Sequence, residues 1–164
     1  MKIRKAVLAD VAVIAEFNVK LAEESEGLRL DLGTVTEGVT ALLRDPAKGI
    51  YFVAENPEAG VVGQLMITYE WSDWRNGNIW WIQSVYAHAK FRRRGVFKLL
   101  FEHLAALAEK SRKVWSLRLY MERHNEQARR AYHKLGMKEM HYEVLELPIS
   151  EIARKKALKG EIGD

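Results

Sequence analysis

The sequence predicts an α+β protein, an α/β sandwich in which a mixed sheet of about six strands is flanked by helices. Three observations carry that expectation. The elements read from hydrophobic periodicity run β-α-α-β-β-β-α-β-α-β. Antiparallel hairpins come before two strand–helix units, which is not the strict alternation of a doubly wound parallel sheet. The segment Ile79–Ala87 is apolar on both faces, as a strand in the middle of a sheet must be. A chain of 164 residues with 48% hydrophobic and 29% charged residues can bury one core, and that balance excludes the disordered class.

The elements follow in order. Residues 2–6 read as a short strand. From Asp10, Val11, Ile14, Ala15, Leu21 and Ala22 recur at helical spacing until Glu26-Gly27. Residues 27–33 link to a second helix marked by Val35, Val39, Leu42 and Leu43 and stopped before Pro46. Ile50–Ala54 and Val61 to about Trp71 form a hairpin around Asn56-Pro57-Glu58-Ala59-Gly60. Asn76-Gly77 turns the chain into Ile79–Ala87. After the basic segment Lys90–Arg94 and Gly95, the residues Val96, Leu99, Leu100, Leu104 and Leu107 define an amphipathic helix. Val114–Met121 is a strand with Trp115, Leu117, Leu119 and Met121 on one face. Asn125 can cap a helix with Ala128, Ala131, Tyr132 and Leu135 on its apolar face and Gly136 as its stop. Lys138–Leu147 is expected to be the last strand. Residues 1–148 thus form the domain, and 149–164 a charged tail or loose helix.

Composition narrows the chemistry. The absence of cysteine excludes disulfides, thiolate metal sites and a cysteine nucleophile, and fits a reducing, cytoplasmic location. No stretch approaches the roughly 20 apolar residues of a membrane helix, and Asp10 and Glu16 interrupt any signal-peptide core, so no membrane partner is expected. The five histidines show no metal-ligand spacing, so no metal is expected. The net charge of +4 permits anionic ligands. The basic cluster Arg92-Arg93-Arg94 is too short, among too many acids, for nucleic acid to be an expected partner.

That cluster stands at an informative junction. A buried strand enters a basic loop, and Gly95 opens a helix. The first N–H groups of a helix lack partners inside it and lie at the positive end of its dipole. With glycine admitting close approach, this composes a site for a diphosphate. A solvated basic turn is the other reading of the same residues.

The junction resembles the pyrophosphate loop of the GNAT superfamily of N-acetyltransferases, [QR]-x-x-G-x-[GA] after an apolar strand. Here it is Arg92-x-x-Gly95-x-Phe97 after Val85-Tyr86-Ala87. A second family pattern follows as Leu119-Tyr120, Asn125, Ala128, Tyr132 and Gly136-Met137, so the resemblance spans about residues 2–147. Phe97 departs from it, standing where the family has Gly or Ala. The resemblance implies that acetyl-CoA donates an acetyl group to a primary amine by direct attack. It implies that Ile79–Ala87 splays from Val114–Met121 to admit the pantetheine, whose amides pair with backbone of Val85 and Ala87. The Val85 N–H would polarise the thioester carbonyl. Arg92, Arg93, Arg94, Gly95, Val96, Phe97 and Lys98 would hold the pyrophosphate, with Tyr86 and Asn125 flanking the cofactor. Tyr132 matches the family's general acid, although its helical spacing also fits a core role. The family further implies a homodimer.

The stretch from Tyr69 to Tyr86 is similar to that of diamine acetyltransferases, but Gln83 and Ser84 replace their acidic pair, so polyamine specificity is not implied. Glu23, Glu24, Glu70, Asp73 and Glu122 are the remaining candidate bases, each equally readable as a surface charge. Trp71, Trp74 and Tyr120, with Trp80 nearby, could cage a cationic or apolar amine, or serve core and dimer packing. Gln83 could orient substrate. A non-enzymatic acyl-CoA-binding or regulatory module is the alternative to an enzyme.

Overall fold

The computed structural model describes residues 1–151; the remainder of the charged tail expected over 149–164 lies outside the described residues. Five strands and four helices are formed there: β1 (Lys2–Lys5), α1 (Val11–Glu26), α2 (Leu32–Arg44), β2 (Ile50–Asn56), β3 (Gly60–Ser72), β4 (Gly77–Ala87), α3 (Val96–Lys110), β5 (Val114–Leu119) and α4 (Glu126–Lys134). The chain divides into two compact units, 1–125 and from Glu126 onward.

The sheet of the first unit has the order β1-β2-β3-β4-β5. Its first three pairings are antiparallel, and β4 with β5 is parallel. Tight turns join β2 to β3 and β3 to β4, whereas the parallel pair needs the crossover through α3. Alternation along β2 assigns the two faces. Tyr51 and Val53 pack with Ile14 of α1 and with Val39 and Leu42 of α2. Phe52, on the opposite face, meets His103 of α3 with ring centroids 5.5 Å apart. Leu65, Ile67, Leu100 and Leu104 are wholly buried. The unit therefore has three layers, α1 and α2, the sheet, and α3.

Several elements differ from the sequence reading, among them β2, which runs on to Asn56, and β4, which starts at Gly77. Helix α2 starts inside the expected 27–33 linker, because the Asp31 carboxylate accepts from the Thr34 N–H at 2.7 Å and caps it. Strand β5 stops at Leu119 rather than Met121. The expected sixth strand at Lys138–Leu147 is not formed, which corrects the count to five. A strand is held by its ladder rather than by its own alternation. Here the apolar positions that suggested it stand in solvent, with Tyr142 at 67% and Leu145 at 92% exposure.

The N-terminal edge is fixed by one buried carboxylate. Asp10 is 6% exposed. It accepts from Arg4 Nη1 at 2.7 Å, from Arg4 Nη2 at 3.0 Å and from the Val7 N–H at 2.8 Å. Arg4 also reaches Glu55 on the neighbouring strand at 3.1 Å. The Arg4 hydrogen bonds hold the Asp10 carboxyl below its ordinary range, against the opposing effect of burial. A depressed carboxylate contributes stability above its unfolded pKa, about 3.9, that is lost as pH falls through the folded value. Asp10→Asn is expected to cost about 1.5–3 kcal/mol at neutral pH. In urea denaturation the gap between variant and native protein should close below about pH 4.

Candidate functional site

The site begins where β4 loses its partner. Strand β5 pairs with β4 from Asn78↔Val114 to Ile82↔Leu119, and β4 then continues to Ala87. From Gln83 onward the two strands no longer pair, leaving a stretch of β4 edge open on the β5 side. On the other side, β3 keeps its hold through a bulge. Gln64 pairs with Tyr86 and Met66 with Gln83, so Leu65 stands opposite both Ser84 and Val85. Ser84 takes φ +49°, a left-handed conformation that non-glycine residues rarely adopt.

The bulge resets the alternation of side chains. Gln83 and Tyr86 are three apart, so in a regular strand they would face opposite ways. With one extra residue between them, both lie on the face covered by α1. Gln64, wholly buried, ties the bulge to that helix: its Nε2 donates to Asn18 Oδ1 at 2.7 Å and to the Ser84 carbonyl at 3.3 Å. Asn18 Nδ2 in turn donates to the Tyr51 hydroxyl at 2.9 Å. No sequence motif signals Gln64, because a glutamine in an apolar strand reads only as an interruption.

At the far end of β4 a short 3-10 turn, Ala89–Phe91, leads into α3. Arg93 has φ +63° and Gly95 φ +79°, so two of the three residues before the helix are left-handed. Gly95 is the N-cap, and a Cβ added there would meet nothing within 4 Å. The loop is therefore open at the very residue where the backbone is most approachable, and the N–H groups of the first turn of α3 point out of the same end. A close contact sets the helix there: a Cβ on Gly63 would lie 2.4 Å from Val96 Cγ1 and 3.1 Å from the Tyr86 carbonyl. Val96 is 2% exposed and cannot yield. Phe97, the departure from the family pattern, is half-buried and sits along α3 against Phe101, with ring centroids 6.0 Å apart.

The three arginines are not equivalent. Arg92 Nε donates to the Ala87 carbonyl at 3.0 Å, and its guanidinium forms an ion pair with Glu24 of α1. The same guanidinium lies 5.4 Å from the centroid of the Tyr86 ring, whose hydroxyl donates to Glu24 at 3.0 Å. Glu24 raises the Arg92 pKa, and burial raises that of Tyr86. Tyr86 is thus turned into the α1 layer, beside Phe17 at 4.9 Å, rather than toward the open β4 edge. Arg93 and Arg94 are exposed, Arg94 lying over Phe91 at 5.4 Å, and Lys98 pairs with Glu102 at 3.6 Å.

The aromatic residues separate into two groups. Tyr120 stacks on Trp81 with centroids 4.4 Å apart. Trp81 Nε1 donates to Glu70 at 2.6 Å, and Glu70 also takes Arg118 at 3.4 Å. Gln83, two residues along the same face, donates to Thr68 Oγ1 at 2.6 Å. Trp71 follows Glu70 and so falls on the opposite face, with Trp80 and Tyr69, whose rings are 6.5 Å apart. Trp74 lies in the hairpin turn at 88% exposure. The structure therefore brings Tyr120 and Gln83 to one face and leaves Trp71 and Trp74 off it. Trp81, which reads in the sequence as one more central-strand residue, is the ring that matters there. Of the candidate bases, Glu24 and Glu70 are held as described, Asp73 accepts from the Trp74 N–H at 2.9 Å and Glu122 from the His124 N–H at 2.8 Å. Glu23 is exposed.

Asn125 ends the first unit. In the second, Tyr132 is half-buried on α4, and burial raises its phenol pKa. Arg129 pairs with Glu126 at 3.3 Å and with Glu139. Among the described residues no cluster of three metal-ligating side chains exists, and no helix is long and apolar enough to cross a membrane.

Comparison with known proteins gives the class of this fold. Residues 14–137 match the model of the acetyltransferase (GNAT) family. The solved structure of a possible acetyltransferase from Clostridium difficile 630 is 45% identical, with a TM-score of 0.85, covering 90% of this chain and 96% of that one. The chain belongs to the GNAT acetyltransferase family. A predicted acetyltransferase from Clostridium acetobutylicum, solved with acetyl-CoA, shares the fold at 19% identity and TM-score 0.71, covering 92% of this chain and 97% of that one. So does a ribosomal-protein-alanine N-acetyltransferase from Brucella melitensis biovar Abortus 2308, at 20% identity and TM-score 0.67, covering 90% and 99%. No curated protein matches the chain at a significant level.

The Gly63 contact gives a direct test of how α3 is seated. Gly63→Ala is expected to destabilise by about 1–3 kcal/mol through overpacking against Val96. Gly38→Ala, within α2 where an added Cβ meets nothing within 4 Å, is expected to stabilise by about 0.5–1 kcal/mol. Guanidinium denaturation of the two variants against the native protein checks both signs.

Proposed function

We propose that this protein transfers an acetyl group from acetyl-CoA to the primary amine of a small molecule. The observation that carries this reading is the parting of β4 from β5 after Ile82, with Gly95 and the start of α3 at the end of the open strand. The residues fit the donor. An extended chain with amide groups can pair with the free edge of Gln83–Ala87, and a diphosphate can sit where the backbone around Gly95 is uncovered.

Acetyl-CoA supplies, when bound, an acetyl carbon activated by its thioester. Backbone of Val85 and Ala87 aligns the pantetheine, and the Val85 N–H is assigned the carbonyl oxygen. The amine nitrogen attacks the acetyl carbon, the C–N bond forms, and the C–S bond breaks with its electron pair on sulfur. The family resemblance assigns the proton for that sulfur to Tyr132, and solvent takes the proton lost by nitrogen. Burial disfavours the phenolate, so Tyr132 stays protonated through the neutral range. The phosphates fall to the backbone of 93–98 with Arg93 and Arg94. Arg92 serves the loop through Glu24 and the Ala87 carbonyl.

Calorimetry with CoA and thiol release with an amine panel test the reading. Native protein should bind CoA in the micromolar range. Gly95→Ala should weaken binding about tenfold, because φ +79° disfavours any side chain by about 1–2 kcal/mol. Tyr132→Phe should leave affinity unchanged and lower kcat about tenfold to a thousandfold. CoA binding with no transfer to any amine would instead favour an acyl-CoA-binding regulatory module.

The pH profile follows from the same residues. Gln83 and Ser84 place no carboxylate on β4 beside the acceptor, so the amine must arrive as its free base, about one part in a thousand at pH 7. kcat/KM should therefore climb with pH toward the amine pKa. A raised Tyr132 pKa puts the falling limb above the ordinary phenol value of about 10. A plateau beginning near pH 7 would show that a base has been overlooked.

A further inference from the structure

We propose that the acceptor is an amine with an apolar alkyl or arylalkyl body, seated in the crevice between α1, α2 and the sheet. The proposal rests on the acetyl-transfer reading above and names the class of substrate that the same site takes.

The crevice has a volume of about 340 Å³, at the lower end of small-molecule sites, about 300–1,000 Å³. Its apolar wall includes Leu21, Leu30, Val35, Val39 and Met66. Ser84, the bulge residue immediately before Val85, is part of the same wall. Met66 pairs with Gln83, so the floor of the crevice is continuous with the open stretch of β4. An amine entering here meets the transfer position with its nitrogen at the Ser84 end and its body against α1 and α2.

Two of the polar side chains around the crevice, Asn18 and Ser25, are already engaged. Asn18 is held between Gln64 at 2.7 Å and Tyr51 at 2.9 Å, and the Ser25 hydroxyl donates to the Leu21 carbonyl at 2.7 Å. Glu26, exposed at the end of α1, is the one carboxylate in its wall. Glu70, the acid nearest along the sheet face, is neutralised by Arg118. A second ammonium group on the substrate would therefore meet only Glu26, at the exposed end of α1, and no carboxylate deeper in the crevice. The rim points the same way. Leu28, Leu30 and Leu32, on the segment joining α1 to α2, are 50%, 40% and 55% exposed, three leucines in solvent beside an apolar opening.

The test has two arms, with CoA affinity measured first by calorimetry. In the first arm, n-propylamine, n-butylamine, n-pentylamine, n-hexylamine and 2-phenylethylamine are compared with putrescine, spermidine and a short peptide. kcat/KM should rise about two- to fourfold per added methylene, and hexylamine should exceed putrescine at least tenfold. In the second arm, Leu30→Glu should lower kcat/KM for hexylamine about tenfold and flatten the chain-length series, with CoA affinity unchanged. Leu30→Met should restore both. Saturable binding of hexylamine to the CoA-loaded protein, read by tryptophan fluorescence, supports the proposal even if turnover is slow. A flat series, a preference for putrescine, spermidine or the peptide, or no saturable hexylamine binding while CoA binds normally overturns it. Loss of CoA binding itself counts against the acetyl-transfer reading, while hexylamine binding still decides for or against the crevice.

Discussion

One irregularity in one strand organises the site. Strand β4 carries an extra residue at Ser84–Val85, opposite Leu65 alone, and its pairing with β5 has ended by Ile82. A regular ladder on both sides would leave β4 no unpaired backbone and no room for a ligand between strands. The bulge keeps β3 attached while the β5 side opens. It also places Gln83 and Tyr86 on one face, so that the acceptor side of the strand and the anchor of the cofactor loop are served by the same layer of helices.

The strain at Ser84 is held rather than relieved. Gln64 ties the Ser84 carbonyl to Asn18, and Asn18 to Tyr51, so a chain of side-chain hydrogen bonds runs from the bulge into α1 and β2. A buried polar network of this kind is stable only while its members find partners, and it fixes geometry more than it adds stability. The second brace is the Glu24 carboxylate, which takes both Tyr86 from the strand and Arg92 from the loop. Helix α1 therefore positions the two halves of the site, and the basic loop that reads as a cluster of equivalent charges has three exposed arginines of which Arg92 is tied to α1 by an ion pair.

The acceptor side follows from what β4 lacks. With Gln83 and Ser84 where a pair of carboxylates could have stood, the strand carries hydrogen-bonding groups and no proton acceptor there. Specificity then falls to shape and to apolar contact, where each methylene counts for about 0.8 kcal/mol. On the reading proposed above, the crevice under α1 and α2 is where that contact is made, bordered by Leu30 of the connecting segment.

The element order, the hairpins, the glycine at the helix start and the family itself were all legible in the sequence, because periodicity and turn residues report local backbone and the loop motif is contiguous. The Arg92-x-x-Gly95 spacing could be read for the same reason. What only the tertiary structure decided is which neighbours meet across the sheet. Strand register put Trp81 rather than Trp71 or Trp74 against Tyr120, and a bulge with no sequence signature turned Tyr86 away from the open edge. The tie of Arg92 to α1 depends on Glu24, 68 residues earlier in the chain. The sixth strand failed for the complementary reason: alternation along Lys138–Leu147 is a local property, but a strand exists only where another backbone completes its hydrogen bonds.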